Sequence, residues 1–414
     1  MRPLFQADRH QPLNEADVWC PDTVRQWLKT WGEKALETGL NNPVSFPLHP
    51  QDATDLTSTS PSSLYCGSLG VWLTLERLMR ADFLPAQAMT DIYAKIHAHY
   101  LQAPDTGEVV PSWFLGESAI LTQWCLSHQA PLALQDKLYA CLEGNLQNPT
   151  QEILWGTPGT FLGALFMWEA TAEKRWRELC QQHIDRLWQH WQWFDEHGAW
   201  LWQQDLYGKS RIFMGAGHGW ASNIYALWRA EALLDDTQYN QLRERTLSAL
   251  KTQAISHAED TRQTHAGAIN WPPLADQETD LLMQWCHGAP GIICALQRAD
   301  LPELDAWLYK GGLSILEAGP LTKGPGLCHG TAGNGYALLY LHLRLQRHLP
   351  AHLPPVDWLH KARQFAMHAL RQSEANVQES NLERYSLWTG DAGVACFLLD
   401  CLTEMPSLPG IEKF

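Results

Sequence analysis

No stretch of this chain offers the roughly 20 uninterrupted apolar residues that a helix needs to cross a bilayer, so no membrane span is expected. The opening residues "MRPLFQADRHQPLNEADVW" lack the continuous apolar core of a secretory signal, and the expected location is cytoplasmic. Positive charge is scarce: 30 Lys and Arg against 45 Asp and Glu give a net charge of -15. That balance argues against a nucleic-acid partner, whose phosphates call for a basic patch, and against a pull toward anionic lipid. Period-2 alternation is nearly missing, apart from short pieces such as "GEVV" and "AWLW", so a sheet-based core is not expected. The 10 cysteines, in a reducing compartment, are expected as free thiols or metal ligands rather than disulfides.

What the chain has in excess is tryptophan, 21 copies, whose large rings suit wide gaps between packed helices. It also has a repeat. A glycine, two residues and a second glycine or small residue precede an apolar run at Gly67, Gly116, Gly156, Gly219, Gly288, Gly330 and Gly390. The runs that follow, such as "VWLTLERLM" after Gly70 and "VACFLLDCL" after Gly393, are apolar nearly all round, the mark of a helix buried on most sides. Between them lie one-sided stripes at helical spacing. Examples are Val24, Trp27, Leu28, Trp31 and Ala35; Trp176, Leu179, Cys180, Ile184, Leu187, Trp188 and Trp191; and Ala362, Phe365, Ala366, Ala369 and Leu370.

Each unit therefore reads as an outer amphipathic helix, a loop, a glycine turn and an inner buried helix. An open solenoid needs polar terminal repeats, but the last inner run is as apolar as the middle ones. Closure is favoured. The expected fold is all-α, an α/α toroid of about seven inner and seven outer helices, in one domain over residues 1–414. The glycines permit positive φ and close backbone approach, and the inner-helix mouths would line one shared pit.

Three turns carry ligand-type side chains: "GAGHGWAS" with His218, "QWCHGAPG" with Cys286 and His287, and "LCHGTAG" with Cys328 and His329. Cys286 and Cys328 both stand two residues before the glycine of successive repeats. Inside a helix, Cys328 and His329 would diverge by about 100°; in an irregular turn they can converge, and Cys286 can reach the same point. Two thiolates and one imidazole make the ligand count of a catalytic zinc with its fourth position open. A closed structural zinc with His287 or another group as fourth ligand, or buried cysteines without metal, also satisfies the pattern. Zn²⁺ with two thiolates is formally neutral, and a thiol that joins it binds as thiolate. That keeps the sulfur nucleophilic at neutral pH and favours thiol transfer over hydrolysis. His218, between glycines at another helix mouth, suits a general acid or base. A sugar-hydrolysing toroid would need paired carboxylates; the turns offer Glu117 and Asp391 at unmatched positions.

These motifs, together with "NWPP" at 270–273, "DLLMQWCHGAPG" from Asp280, "LTKGPGLCHGTAGNGYALL" from Leu321, "SLWTGDAG" and the terminal "PGIEKF", resemble the lanthionine synthetase C-like (LanC-like) family. The similarity runs in order over residues 65 to 414, and residues 1–60 resemble nothing placed. The resemblance implies an α/α toroid with Zn²⁺ held by Cys286, Cys328 and His329, and His218 as acid/base. It implies addition of a thiol to dehydroalanine or dehydrobutyrine, forming a thioether. Cyclases of the family commonly have tyrosine where this chain has His287; "WCHGAPG" and Lys323 look like the branch that binds glutathione. Lys323 would pair with a substrate carboxylate, and Glu152 would orient the site. The implied partners are glutathione or a peptide thiol and a peptide or protein bearing a dehydroamino acid. Closure of rings in a dedicated precursor peptide, or zinc and glutathione binding without turnover, remain the alternatives. Ser222 and Ala119 depart from the usual second glycine.

Overall fold

A computed structural model of the chain describes residues 2–14, 17–52, 56, 58–127, 130–256 and 267–412. Outer and inner helices alternate along it. Outer α1 (Pro21–Asn41) leads to inner α2 (Ser68–Arg80), and α3 (Thr90–Gln102) to α4 (Glu117–Leu126). Then α5 (Leu132–Gly144) leads to α6 (Thr157–Thr171), α7 (Lys174–His190) to α8 (Trp220–Arg229), and α9 (Asp236–Thr252) to α10 (Ala289–Leu296). Finally α11 (Asp305–Ala318) leads to α12 (Thr331–Arg347), and α13 (Trp358–Ser380) to α14 (Asp391–Thr403). Every inner helix starts on the residue after the first glycine of a repeat, including α4 and α8, where Ala119 and Ser222 replace the second glycine.

Inner helices are buried along most of their length. All residues from Thr157 to Met167 of α6 and from Asp391 to Cys401 of α14 are buried. Outer helices bury one stripe each: Val24, Leu28, Trp31, Ala35 and Leu36 in α1, and Ala362, Phe365, Ala366, Ala369 and Leu370 in α13. Trp72, Trp113, Trp176, Trp202, Trp220, Trp228, Trp271 and Trp388 are wholly enclosed, as expected of wide rings filling gaps between helices. The ring closes because α14 packs on both α1 and α2 and Gln123 of α4 donates to Glu76 of α2 at 3.1 Å. Among the described residues, no helix is long and apolar enough to cross a membrane.

Among the described residues, strands are confined to three two-stranded antiparallel pairs. β1 (Gln192–Phe194) pairs β2 (Ala199–Leu201), and β3 (Gln204–Leu206) pairs β4 (Lys209–Arg211). These two hairpins fill the long interval between α7 and α8, and β5 (Ile255–Ser256) pairs β6 (Ile269–Asn270) ahead of α10. "AWLW" contains β2, whereas "GEVV" is coil.

The turn glycines work mainly by close approach. The Cα of Gly333 sits against the Leu327 carbonyl, six residues earlier; a Cβ there would lie 1.9 Å from that oxygen. Gly291 meets the Trp285 carbonyl in the same way, at 2.0 Å. The expectation of positive φ holds, among the seven leading glycines, only at Gly288, where φ is +109°. Gly333→Ala is expected to destabilise by about 1–3 kcal/mol, since backbone and not a flexible side chain must move. A denaturant titration with unchanged slope and lower midpoint would show it.

The folded-back turns are stitched together at one end of the barrel. The residue two before each leading glycine carries the stitch. Tyr65 N–H donates to Phe114 O (2.9 Å), Trp388 N–H to Tyr65 O (3.1 Å) and Cys328 N–H to Trp388 O (2.8 Å). Cys286 N–H donates to Cys328 O (3.0 Å) and Gly217 N–H to Cys286 O (3.1 Å). Side chains complete the circle: Ser112 donates to Leu154 O, and Asn223 donates to Gln151 O at 3.0 Å. Positions scattered over more than 320 residues of sequence thus form one rim.

Candidate functional site

On this rim the backbone bond between Cys286 and Cys328 places their side chains together, and His329 joins them. The two sulfurs and one imidazole nitrogen lie within 4.8 Å of one another. Both cysteines are buried, and His329 is half-buried. Among the described residues this is the one group of three or more Cys, His, Asp or Glu side chains so gathered. Tetrahedral zinc with S and N ligands at about 2.0–2.3 Å brings those atoms to comparable separations, so the donor set fits a zinc ion with one position left for another ligand. His287 is not in the cluster, which removes the nearest candidate for a fourth protein ligand.

The electrostatics are those of a thiol pair that differs sharply in acidity. Cys286 and Cys328 hydrogen-bond each other; this lowers the Cys328 thiol well below its ordinary value, against burial, with His329 and the Tyr65 hydroxyl adding hydrogen bonds to its sulfur. The same bond, with burial, pushes Cys286 well up. The pair therefore shares a proton that sits on Cys286. Metal ligation needs both sulfurs as thiolates, so binding expels that proton.

His218 faces this cluster from the neighbouring turn. Its Nδ1 lies 3.1 Å from Glu152 Oε2. A carboxylate only accepts, so Nδ1 carries the proton and Nε2 is the nitrogen left for chemistry. Glu152 is wholly buried and is fixed by the turn itself, accepting from Leu154 N–H at 2.9 Å and Trp155 N–H at 2.7 Å. It lies ahead of α6 and ties its own turn down. Burial alone would depress the His218 imidazolium, but the hydrogen bond and charge of Glu152, with the Cys328 charge, raise its pKa above the ordinary value.

His287 stands 6.0 Å from His218, ring to ring. Burial, helped by the His218 charge, drives its pKa down to about 3, so it is a neutral imidazole, and its buried Nδ1 has no hydrogen-bond partner among the described residues. Lys323 is exposed on the loop before Cys328; its charge reaches Cys286 and favours the thiolate there. Glu117 and Asp391 turn away from the site. Glu117 pairs with His97 of α3 (3.1 Å), and Asp391 accepts from Arg384 N–H at 3.0 Å. No carboxylate pair of the glycosidase kind arises from them.

Several site residues escaped the sequence reading. Tyr65 stacks on Trp388, with planes 5° apart, and reaches Cys328. Its position two before Gly67 matches that of Cys328 before Gly330, which is the signal that identifies it. Tyr207, exposed at the tip of the β3–β4 hairpin, leans toward His218 at 6.3 Å, and Trp155 Nε1 donates to its hydroxyl at 3.3 Å. Gln284 donates to Cys286 Sγ at 3.0 Å. Nothing in the local sequence marks either of the last two.

The segment before Gly67 is divided between two roles. Residues 21–41 are the first outer helix. Residues 9–11 run beside the site: Thr322 N–H donates to Arg9 O (3.0 Å) and Gln11 N–H to Pro320 O (3.0 Å).

Comparison with known proteins agrees with this fold. The solved structure of nisin cyclase shares the fold, with a TM-score of 0.59 at 15% identity, covering 94% of each chain. A zebrafish (Danio rerio) protein named glutathione S-transferase LANCL1 is 34% identical over 139 residues, 32% of this chain and 32% of that protein. The Arabidopsis thaliana LanC-like protein GCL1 is 28% identical over 209 residues, 48% of this chain and 43% of that protein. The matched segments thus span a third to less than half of these relatives' own length. The family model described as lanthionine synthetase C-like protein matches residues 58–413, nearly the whole toroid and every residue of the cluster. The chain belongs to the lanthionine synthetase C-like family.

Proposed function

We propose that this protein is a zinc-dependent enzyme that adds a thiol to a dehydroalanine or dehydrobutyrine residue and so forms a thioether. The observation that carries the reading is the convergence of Cys286, Cys328 and His329 within 4.8 Å, beside a histidine whose proton is controlled by a buried carboxylate. When bound, zinc supplies a site at which a thiol becomes a thiolate at neutral pH. The residues of the chain do the rest. Cys286, Cys328 and His329 would hold the ion, and the stitched rim would thereby fix where the incoming sulfur sits. Attack of that sulfur on the β-carbon of the alkene moves the π pair toward the α-carbon and carbonyl. His218, held by Glu152, delivers a proton from Nε2 to the α-carbon, and the sulfur's own proton, released earlier, balances the addition. Neutral His287 and the Phe213 ring, 6.2 Å apart, wall the His218 side.

Glutathione leads as the thiol. Lys323 gives the site mouth a cation for a thiol-bearing carboxylate, His287 stands where cyclases commonly have tyrosine, and the zebrafish relative bears the name of a glutathione transferase. Cyclisation of a precursor peptide is the competing outcome. Zinc-loaded protein should add one glutathione to a cysteine-free dehydroalanine peptide, read as a mass gain by mass spectrometry. If only a peptide containing its own cysteine reacts, losing free thiol without a mass gain, the cyclase reading takes its place. If neither reacts while zinc and glutathione still bind, the protein is a binding module.

A further inference from the structure

The Gln284 side chain bridges two groups that each constrain it. Its Nε2 lies 3.0 Å from Cys286 Sγ, and its Oε1 lies 3.3 Å from an Arg9 guanidinium nitrogen. A guanidinium has donors and no acceptor, so it accepts nothing from the amide and requires the oxygen on its side. The NH₂ group is thereby committed to the sulfur. Arg9 is itself placed by the rim-side segment: its second nitrogen donates to Gln6 Oε1 at 3.3 Å, Gln6 donates to Asp280 at 2.7 Å, and Asn270 holds the Leu4 carbonyl at 2.7 Å. All of these early residues lie before the stretch that matches the family, which begins at 58.

We propose that Gln284 is a positioning residue for the metal thiolate, oriented by Arg9. The amide donates to Cys286 Sγ, withdraws charge from that sulfur and fixes its direction, and the segment from Leu4 to Arg9 acts on the site through this relay. The inference rests on the metal centre proposed above. A donor on a ligating sulfur tunes both retention of the ion and the electron-richness of the ligand, the general behaviour of groups that hydrogen-bond metal ligands. The backbone bridge between Gln284 and His287, 3.1 Å in each direction, does not involve the side chain, so the turn keeps its tie when the amide is replaced.

Cobalt(II) loaded in place of zinc reads the sulfur directly, through its thiolate-to-cobalt charge-transfer band. Full-length wild type, Gln284→Ala, Gln284→Glu and Arg9→Met are compared for that band, for zinc affinity by chelator competition and for folding by circular dichroism. Gln284→Glu keeps the shape and the Arg9 pairing but, ionised, offers no donor to sulfur, so it separates donation from packing. We expect Gln284→Ala and Gln284→Glu to move the band to lower energy and to weaken zinc about 10- to 100-fold, with Arg9→Met giving a smaller shift of the same sign. Folded Gln284→Glu with the wild-type band and an affinity within about twofold overturns the inference while leaving the metal centre intact. Wild type with no thiolate band overturns both.

Discussion

Cys328→Ala is expected to abolish stoichiometric zinc and, with it, all thiol addition. The cluster has three protein ligands and no fourth from the described residues to compensate. Removing Cys328 leaves one sulfur and one imidazole, and it also removes the partner that hydrogen-bonds Cys286. Structural zinc sites are worth on the order of 10–16 kcal/mol; loss of one of three ligands should cost at least about a thousandfold in affinity, enough that zinc does not survive dialysis. Cys66→Ala is the control. Cys66 is one residue past Tyr65 on the same rim and is half-buried, with its thiol pKa pushed well up by desolvation, yet it lies outside the cluster, so Cys66→Ala should keep the metal. The thermal midpoint adds a second readout. A ligand that binds only the folded state raises stability by mass action, so zinc should raise the midpoint of wild type and of Cys66→Ala but not of Cys328→Ala. Zinc uptake by wild type should also release the proton held on Cys286, detectable with a pH indicator in weak buffer. A Cys328→Ala protein that retains one zinc per chain would place the metal elsewhere and end the proposed chemistry.

The scaffold was more legible than the site's details, for a physical reason. The seven glycine turns are visible because close approach to a carbonyl six residues earlier demands the absence of a side chain, as at Gly333 and Gly291. Stripes such as Ala362, Phe365, Ala366, Ala369 and Leu370 are visible because one face alone is buried. Cys286 and Cys328 were found by their equal register in successive repeats, and that register is what the rim's backbone bonds enforce. His329 and His287 occupy the same register too, one residue before a glycine, yet only His329 joins the cluster. The difference lies in the backbone: Gly288 turns at φ +109° and Gly330 at φ -136°, so equivalent letters take different paths. The Gln284 amide and Tyr207 were not legible at all, since their roles come from contacts across the fold with Arg9 and His218. At Ser222, a small residue in the second turn position, the hydroxyl donates back to the Gly219 carbonyl at 2.8 Å.

The second large effect is expected at the proton-delivering pair. His218→Ala should still bind zinc and glutathione, because none of its atoms belongs to the ligand cluster, but should lower the rate of addition by about 10²–10⁴, the usual contribution of a positioned acid or base. The pH profile then tests how Glu152 acts. His218 must be protonated on Nε2 to deliver a proton, and its pKa is raised above 6.5 by Glu152. The rate should therefore fall as pH rises through that raised value. In Glu152→Gln the charge that raises it is gone while burial, which lowers it, remains, so the falling limb moves to lower pH and the rate at neutral pH drops. Stability follows the same sign. A raised histidine pKa contributes stability fully below its unfolded value near 6.5 and loses it as pH rises through the folded value. The stability gap between metal-free wild type and Glu152→Gln should accordingly be widest in mild acid and narrow above neutrality. A falling limb at the same pH in both proteins would show that Glu152 anchors the turn through Leu154 and Trp155 without setting the His218 proton.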